Sequence, residues 1–237
     1  MESMTNWDDF RKSIATEFRE SPNHYLKRPT IRLTVCPYQS TVARDIANYL
    51  GDWMSHIKEP ERGQPTISHN NRTVVTYQQI YYHKMMNERW GKNNFESITD
   101  IGGGYGACCR IHKTNGHTGE YYIIDFVEMH DIQMDHLIHT SDTNNVYMKD
   151  LRDDYPTTEL LNATFSLNEM PLVDRSVVID RLPEYDKIFI AHNREYEGID
   201  NIEYFKRVAK NLRSTHTVEH FPCPIYNKAW YLIASRN

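Results

Sequence analysis

The chain has 237 residues, 39% of them hydrophobic, with 27 Lys and Arg against 32 Asp and Glu and a formal net charge of −5. That length holds one full domain with an appendage and can bury a real core. No basic balance advertises a nucleic-acid partner, and no run of 18 apolar residues exists to span a membrane.

Residues 5–20 place Trp7, Phe10, Ile14 and Phe18 at helical spacing, so an amphipathic helix is expected there. Pro22 and Pro29 bracket a break. Ser40 or Thr41 caps a second expected helix that runs to about Trp53, with Val42, Ile46, Tyr49 and Leu50 inward and Gly51 near its end. Gly63-Gln64-Pro65 reads as a loop. A third helix is expected from Thr76 to Trp90, carrying Tyr77, Ile80, Tyr81, Lys84 and Met85 and closing at Gly91. Residues 1–92 therefore read as a helical region with no strands for a sheet. Such a region suits a cap over a second domain, a wall for a substrate, or the contact surface of a homodimer.

From Phe95 onward apolar runs and helical patterns alternate, which predicts an α/β fold with a parallel sheet over residues 93–237. Strands are expected at 97–101, 121–125, 145–148, 160–165, 186–191, 215–220 and 230–235. Helices fill 105–115, 128–138, a short piece near 174–181, and 200–212. The four cysteines, Cys36, Cys108, Cys109 and Cys223, match no zinc or disulfide spacing. Free thiols without a leader segment point to a reducing cytoplasm.

The most telling stretch runs from Ser97 to Asp125. An apolar strand ends at Ile101, and Gly102, Gly103, Gly104 and Gly106 follow at once. Residues without a Cβ allow a tight turn and a close approach to a ligand. The next apolar run, Tyr121–Ile124, ends in Asp125, 23 residues after Gly102, where an acid can reach the hydroxyls of a ribose. An adenosine-containing cofactor is the reading. Gly102, Gly104 and Ala107 satisfy the dinucleotide pattern G-x-G-x-x-A, which would make a nicotinamide-dependent oxidoreductase. Asp100, Gly102, Gly104 and Gly106 satisfy D-x-G-x-G-x-G, the first motif of class I methyltransferases that use S-adenosylmethionine. The second is preferred. A carboxylate before the glycines can pair with the ammonium of that cofactor, nothing argues for a pyrophosphate on the helix N-terminus, and the remaining length fits one seven-stranded domain.

Three segments carry a closer likeness. Asp100-Ile-Gly-Gly-Gly-Tyr-Gly106, Tyr122-Ile-Ile-Asp-Phe126 and Asn162-Ala-Thr-Phe-Ser-Leu-Asn-Glu-Met170 resemble a family of sugar O-methyltransferases, over roughly residues 70–235. Specificity rests on Phe165-Ser166 and Glu169-Met170, since many methyltransferases share the glycines. Ala107 departs from the family's fourth glycine, and Phe126 from its usual Leu. The resemblance implies the Rossmann-like seven-stranded class I sheet, whose final antiparallel pair suits 215–220 and 230–235 around the Pro222–Pro224 turn. It also implies S-adenosylmethionine as cofactor and a small carbohydrate acceptor.

Ligands of such sheets bind beyond the carboxyl ends of the strands, near the switch in strand order. On the cofactor side Asp100 is assigned to the ammonium, Gly102 and Gly104 to the methionine moiety, Asp125 to the ribose, Phe126 to the adenine face and Asp150 to its exocyclic amine. On the acceptor side stand Asn168, Glu169 and His192. A neutral hydroxyl is a poor nucleophile, so a base is needed. His192, after the apolar run Ile188–Ala191, is the first candidate, because an imidazole titrates near neutral pH. Glu169 is the second, as base or as the group that orients it. The competing reading of His192 is a hydrogen-bonding residue at a strand end. His136 and His139 lie three apart on an expected helix that also carries His130, Asp131 and Asp135, a geometry open to a metal pair, but the simpler reading is the solvated face of a helix and no metal ligand is assigned. Besides the oxidoreductase, a methyltransferase acting on another acceptor atom and a non-catalytic relative remain open.

Overall fold

The computed structural model describes residues 7–37, 39–91, 95–226 and 228–237. It divides into two compact units that interleave along the chain. One comprises Met1–Asn94, Gly104–His117 and Phe126–Asn144; the other comprises Phe95–Gly103, Thr118–Asp125 and Asn145–Asn237.

The first unit is helical among its described residues: α1 (Trp7–Glu20), α2 (Pro29–Val35), α3 (Ser40–Leu50), α4 (Val74–Trp90), α5 (Ala107–Thr114) and α6 (Val127–Thr140). Residues 5 and 6 of the expected first helix, and the Trp7 side chain, lie outside the described residues. Its core gathers Ile14, Tyr25, Leu26, Ile31, Cys36, Tyr105, Met129 and Ile132. The break expected between Pro22 and Pro29 stops at Pro29, which opens α2. Proline is preorganised for the first helical position, and the cap comes from a distance: the Glu17 carboxylate accepts from the Thr30 and Ile31 amides, both at 3.0 Å. On α3 the Tyr49 ring is exposed (46%) and not inward; Ala43, Ile46 and Leu50 face the core. On α4, Met86 is buried in place of Met85. Thr73 caps α4 by accepting from the Thr76 amide at 3.0 Å, and Gly91 ends it in the left-handed conformation.

The second unit carries β1 (Ser97–Ile101), β2 (Glu120–Ile124), β3 (Val146–Lys149), β4 (Leu160–Thr164), α7 (Leu172–Arg181), β5 (Lys187–Asn193), a small hairpin β6 (Glu195–Tyr196) and β7 (Ile199–Asp200), α8 (Asn201–Leu212), β8 (His216–Pro222) and β9 (Ala229–Arg236). Seven strands form one sheet in the order β3-β2-β1-β4-β5-β9-β8. The first five are mutually parallel, and β9 enters antiparallel between β5 and β8. The order reverses at β1, so the ends of β1, β2 and β4 flank the switch point where ligands of open α/β sheets bind.

One sheet face is closed within this unit. Ile101, Ile124, Leu161, Ala163, Ile188, Ile190 and Leu232 pack with Val178 of α7 and with Phe205, Val208 and Leu212 of α8. Phe205, Val208, Ala209 and Leu212 repeat at helical spacing, and Asp200 caps α8 by accepting from the Glu203 amide at 3.1 Å. The β6–β7 hairpin was not anticipated. Its turn uses Glu197 and Gly198, both at positive φ (48° and 79°), the geometry of a two-residue hairpin loop.

Candidate functional site

At the end of β1, residues alternate between sheet faces. Asp100 shares register with Ile123 of β2 and Asn162 of β4. Its carboxylate is almost wholly buried (1% exposed). The Asn162 amide donates to Oδ1 at 2.7 Å, and the Tyr121 hydroxyl, two residues before Ile123 on the same face, donates to Oδ2 at 3.0 Å. Burial pushes the Asp100 pKa up to about 6, against the pull of those two bonds. Asp100 therefore ties β1 to β2 and β4 beneath the glycine turn.

The turn itself begins with the Gly102 amide donating to the Ile124 carbonyl at 2.7 Å. Gly102 has φ +69°, and a Cβ there would lie 2.1 Å from the Ser166 Cβ. A Cβ on Gly103 would meet Ile123 at 2.6 Å and the Asp100 carboxylate at 3.3 Å. The glycines are thus required by the packing of the turn over β1 and β2. Ser166, in the loop after β4, donates through its hydroxyl to the Ile101 carbonyl and locks this arrangement.

Asp125 follows β2 directly, half-buried, its amide bonded to the Lys149 carbonyl at 3.0 Å. It stands one residue beyond the carbonyl that anchors Gly102, so the turn and this carboxylate share neighbouring strand tips. Asp150, past β3, makes a local turn: its amide donates to Asp153 at 2.8 Å and its carboxylate accepts from the Arg152 amide at 3.2 Å. Gly104 and Phe126 belong to the helical unit. The Gly104 carbonyl accepts from Gln133 at 2.9 Å, and the Arg11 guanidinium lies over the Phe126 ring at 5.0 Å.

The loop after β4 is built around Phe165, a non-glycine residue at φ +64° whose amide donates to the Ala191 carbonyl at 2.8 Å. Such a conformation persists only where its surroundings enforce it, and it is concentrated at functional sites. It swings Ser166 onto Gly102 and starts a single turn in which Ser166 accepts from the Glu169 amide at 3.0 Å. Below the loop, the fully buried Arg175 of α7 donates to the carbonyls of Asn168 and Met170 at 2.6 and 3.2 Å, and to the Asn201 side chain at 3.0 Å. Its guanidinium lies 4.7 Å from the Tyr204 ring centre. Asn168 is completely buried, and neither atom of its side-chain amide has a partner among the described residues.

Glu169 is partly exposed, and among the described residues its only side-chain bond comes from the Asn193 amide at 3.3 Å. Burial of the carboxyl raises its pKa to about 7. His192, the residue before Asn193, is wholly buried. Its ring stacks on Phe205 at 4.3 Å, Nδ1 donates to the Asn193 carbonyl at 2.9 Å, and Nε2 faces His220 Nε2 at 3.0 Å. A carbonyl can only accept, so the His192 proton sits on Nδ1 and His220 donates to Nε2. Burial lowers the His192 pKa to about 4. Both ring nitrogens are thus engaged inside the protein. His136 is also buried, its pKa lowered to about 3 by burial, and no group of three or more metal-binding side chains occurs among the described residues. Tyr121, Asn162, Arg175 and Asn193 were given no role from the sequence; Ser166 was singled out there only as part of the family likeness, in the segment that also holds Asn162.

No family profile matches the sequence, and no curated protein matches it. Solved structures do match in three dimensions. The magnesium protoporphyrin IX methyltransferase of Synechocystis PCC 6803 with bound SAH aligns at TM-score 0.50 and 12% identity, over 68% of this chain and 83% of that one. The methyltransferase domain of bacterial CtHen1 aligns at 0.52 and 9% identity, over 68% and 99%. The small RNA methyltransferase HEN1 aligns at 0.53 and 12% identity, over 68% and 25%. The fold is the Rossmann-like class I methyltransferase fold.

Proposed function

We propose that this protein is an S-adenosylmethionine-dependent O-methyltransferase acting on a hydroxyl of a sugar or sugar-containing acceptor. The observation that carries the reading is the meeting of the Gly102 turn and Asp125 at adjacent strand tips of a sheet ordered β3-β2-β1-β4-β5-β9-β8. The antiparallel β9 between β5 and β8 differs from the order 3-2-1-4-5-6 of dinucleotide-binding sheets, which weighs against the nicotinamide alternative. The donor set fits the cofactor: a half-buried carboxylate for ribose hydroxyls at Asp125, a side-chain-free turn at Gly102 and Gly103, and Asp150 further along the strand ends. Asp100 contributes by fixing the turn through Tyr121 and Asn162. The sugar acceptor rests on the likeness of Phe165-Ser166 and Glu169-Met170 to the sugar-modifying family.

The bound cofactor would supply a methyl group carried on a sulfonium. The protein's own task is then to place the acceptor oxygen and take its proton. Glu169 suits that task, since a base works best with a pKa near the operating pH, and the gain is typically ~100- to 10,000-fold. His192, the first candidate from sequence, has no exposed surface and both nitrogens occupied, so in this reading it braces the end of β5. The test is calorimetry with S-adenosylhomocysteine and with NAD. Binding of the first and not the second is expected, weakened by ~1–3 kcal/mol in Asp125→Ala through loss of charge-assisted hydrogen bonds. Equal affinity in that variant would show that the carboxylate lies elsewhere.

A further inference from the structure

Glu169 is held by one neighbour, and that neighbour is itself unusually fixed. Asn193 is the last residue of β5, paired in register with Ala229 of β9. Its carbonyl accepts from the His192 ring at 2.9 Å, so its backbone is held from two sides. Its side chain leaves the sheet on the face opposite His192 and donates from Nδ2 to Glu169 Oε1 at 3.3 Å. Among the described residues, Oε2 takes part in no hydrogen bond.

Resting on the reading of Glu169 as the base, we propose that Asn193 is a positioning residue that fixes the Glu169 carboxyl through one oxygen and leaves the other to accept the acceptor's proton. A neutral amide suits this place. It donates to the carboxylate without adding charge, whereas an acid would repel it and a hydrophobic side chain would leave it free to rotate. A rigid strand end is also a better mount than the loop that carries Glu169.

The charged and titratable groups around Glu169 are few. Tyr196, on β6, has its phenol pushed up to about 12, by burial first and then by the nearby Glu169 and Glu197 carboxylates. The Arg175 guanidinium, from α7, is spent on the carbonyls of Asn168 and Met170 on either side of Glu169. His192 sits on the other face of β5 and its pKa is lowered by burial. None of these competes with Asn193 as a donor to the carboxylate.

The experiment is a carbon-detected NMR titration of Glu169 in the full chain with 13C-labelled glutamate side chains, in wild type, Asn193→Ala and Asn193→Asp, assigned with Glu169→Gln. Loss of a donor that favours the ionised form raises the midpoint, so Asn193→Ala is expected to bind the proton several-fold more tightly. Asn193→Asp is expected to do so at least tenfold, because two carboxylates then share the site. A midpoint unchanged in both variants overturns the proposal. Should Asn193→Ala fail to fold, the isosteric Asn193→Asp decides alone. S-adenosylhomocysteine binding is measured on the same samples and is expected to be unchanged by either substitution, since Asn193 lies outside the Asp125 and Gly102 cradle. Wild-type protein that does not bind it overturns the methyltransferase reading, and the base role with it, whatever the titration shows.

Discussion

The end of β1 and the loop after β4 each carry a carboxyl group whose pKa burial raises, yet the two are treated in opposite ways. Asp100 is sealed in, with a donor on each oxygen. Glu169 has one donor, at 3.3 Å, and partial exposure. Burial raises both, Asp100 to about 6 and Glu169 to about 7. A carboxylate satisfied on both oxygens is a structural tie; one left half-satisfied near neutral pH is the group to which the proposed function gives the acceptor's proton. Perturbed pKa values mark functional sites only together with such geometry.

The largest expected effect concerns the joint between the two strand ends. Gly102→Ala must fit a Cβ 2.1 Å from the Ser166 Cβ, at φ +69°. The conformation costs ~1–2 kcal/mol and the overlap ~1–3 kcal/mol. A loss of about 4 kcal/mol in denaturant unfolding is expected. Ser166→Gly in the same chain should recover the overlap share and leave the conformational share. If the double variant is no better than the single one, the two loops are not packed as described.

Next is Glu169→Gln, which separates a poised acid from a tie. The wild-type carboxyl has a folded pKa of about 7 against an ordinary value of 4.5. The folded state therefore binds the proton more tightly than the unfolded one, and its contribution is full below pH 4.5 and lost as pH rises through 7. At about 1.4 kcal/mol per pKa unit, the variant should gain at most about 3 kcal/mol over wild type at pH 8 and almost nothing at pH 4. Parallel stability curves across that range would place the carboxyl in water. Gain of stability with loss of transfer is the signature of a site whose acid is kept at a cost.

Much of this architecture was legible in advance. The seven strands fall within one or two residues of their expected bounds; β1, β2, β4 and β5 were announced by apolar runs, because buried parallel strands require them, whereas the short, polar β3 was the weakest expectation. The position of the glycine turn after β1 and of Asp125 after β2 was legible from those residue types following apolar runs. Partners distant in sequence were not. Nothing near Pro29 signals that Glu17 will cap α2, and nothing in Tyr121 or Asn162 says that both will donate to Asp100. The burial of His192 was legible in the sequence. It shares parity with Ile188 and Ile190, so its ring had to enter the face packed by Phe205, while Asn193 took the other side.

Tyr121→Phe gives the smallest effect and the sharpest distinction. The Tyr121 hydroxyl donates to Asp100 at 3.0 Å, and removing it leaves Oδ2 in a buried place without that donor. A hydrogen bond to a charged group contributes ~1.5–3 kcal/mol, but the acid can answer by taking up a proton, which limits the loss. The Asp100 pKa, already raised to about 6 by burial, should rise further once a bond that lowers it is gone. Destabilisation of about 1–2 kcal/mol is therefore expected at pH 8, where the carboxylate is ionised, and it should shrink toward pH 5, where the protonated acid loses less. Urea unfolding at the two pH values measures the difference. A penalty equal at both would mean that the tyrosine acts through packing alone. The contrast with Glu169 would then rest on Asn162, because a tie with a single donor is no different in kind from the group that Asn193 holds.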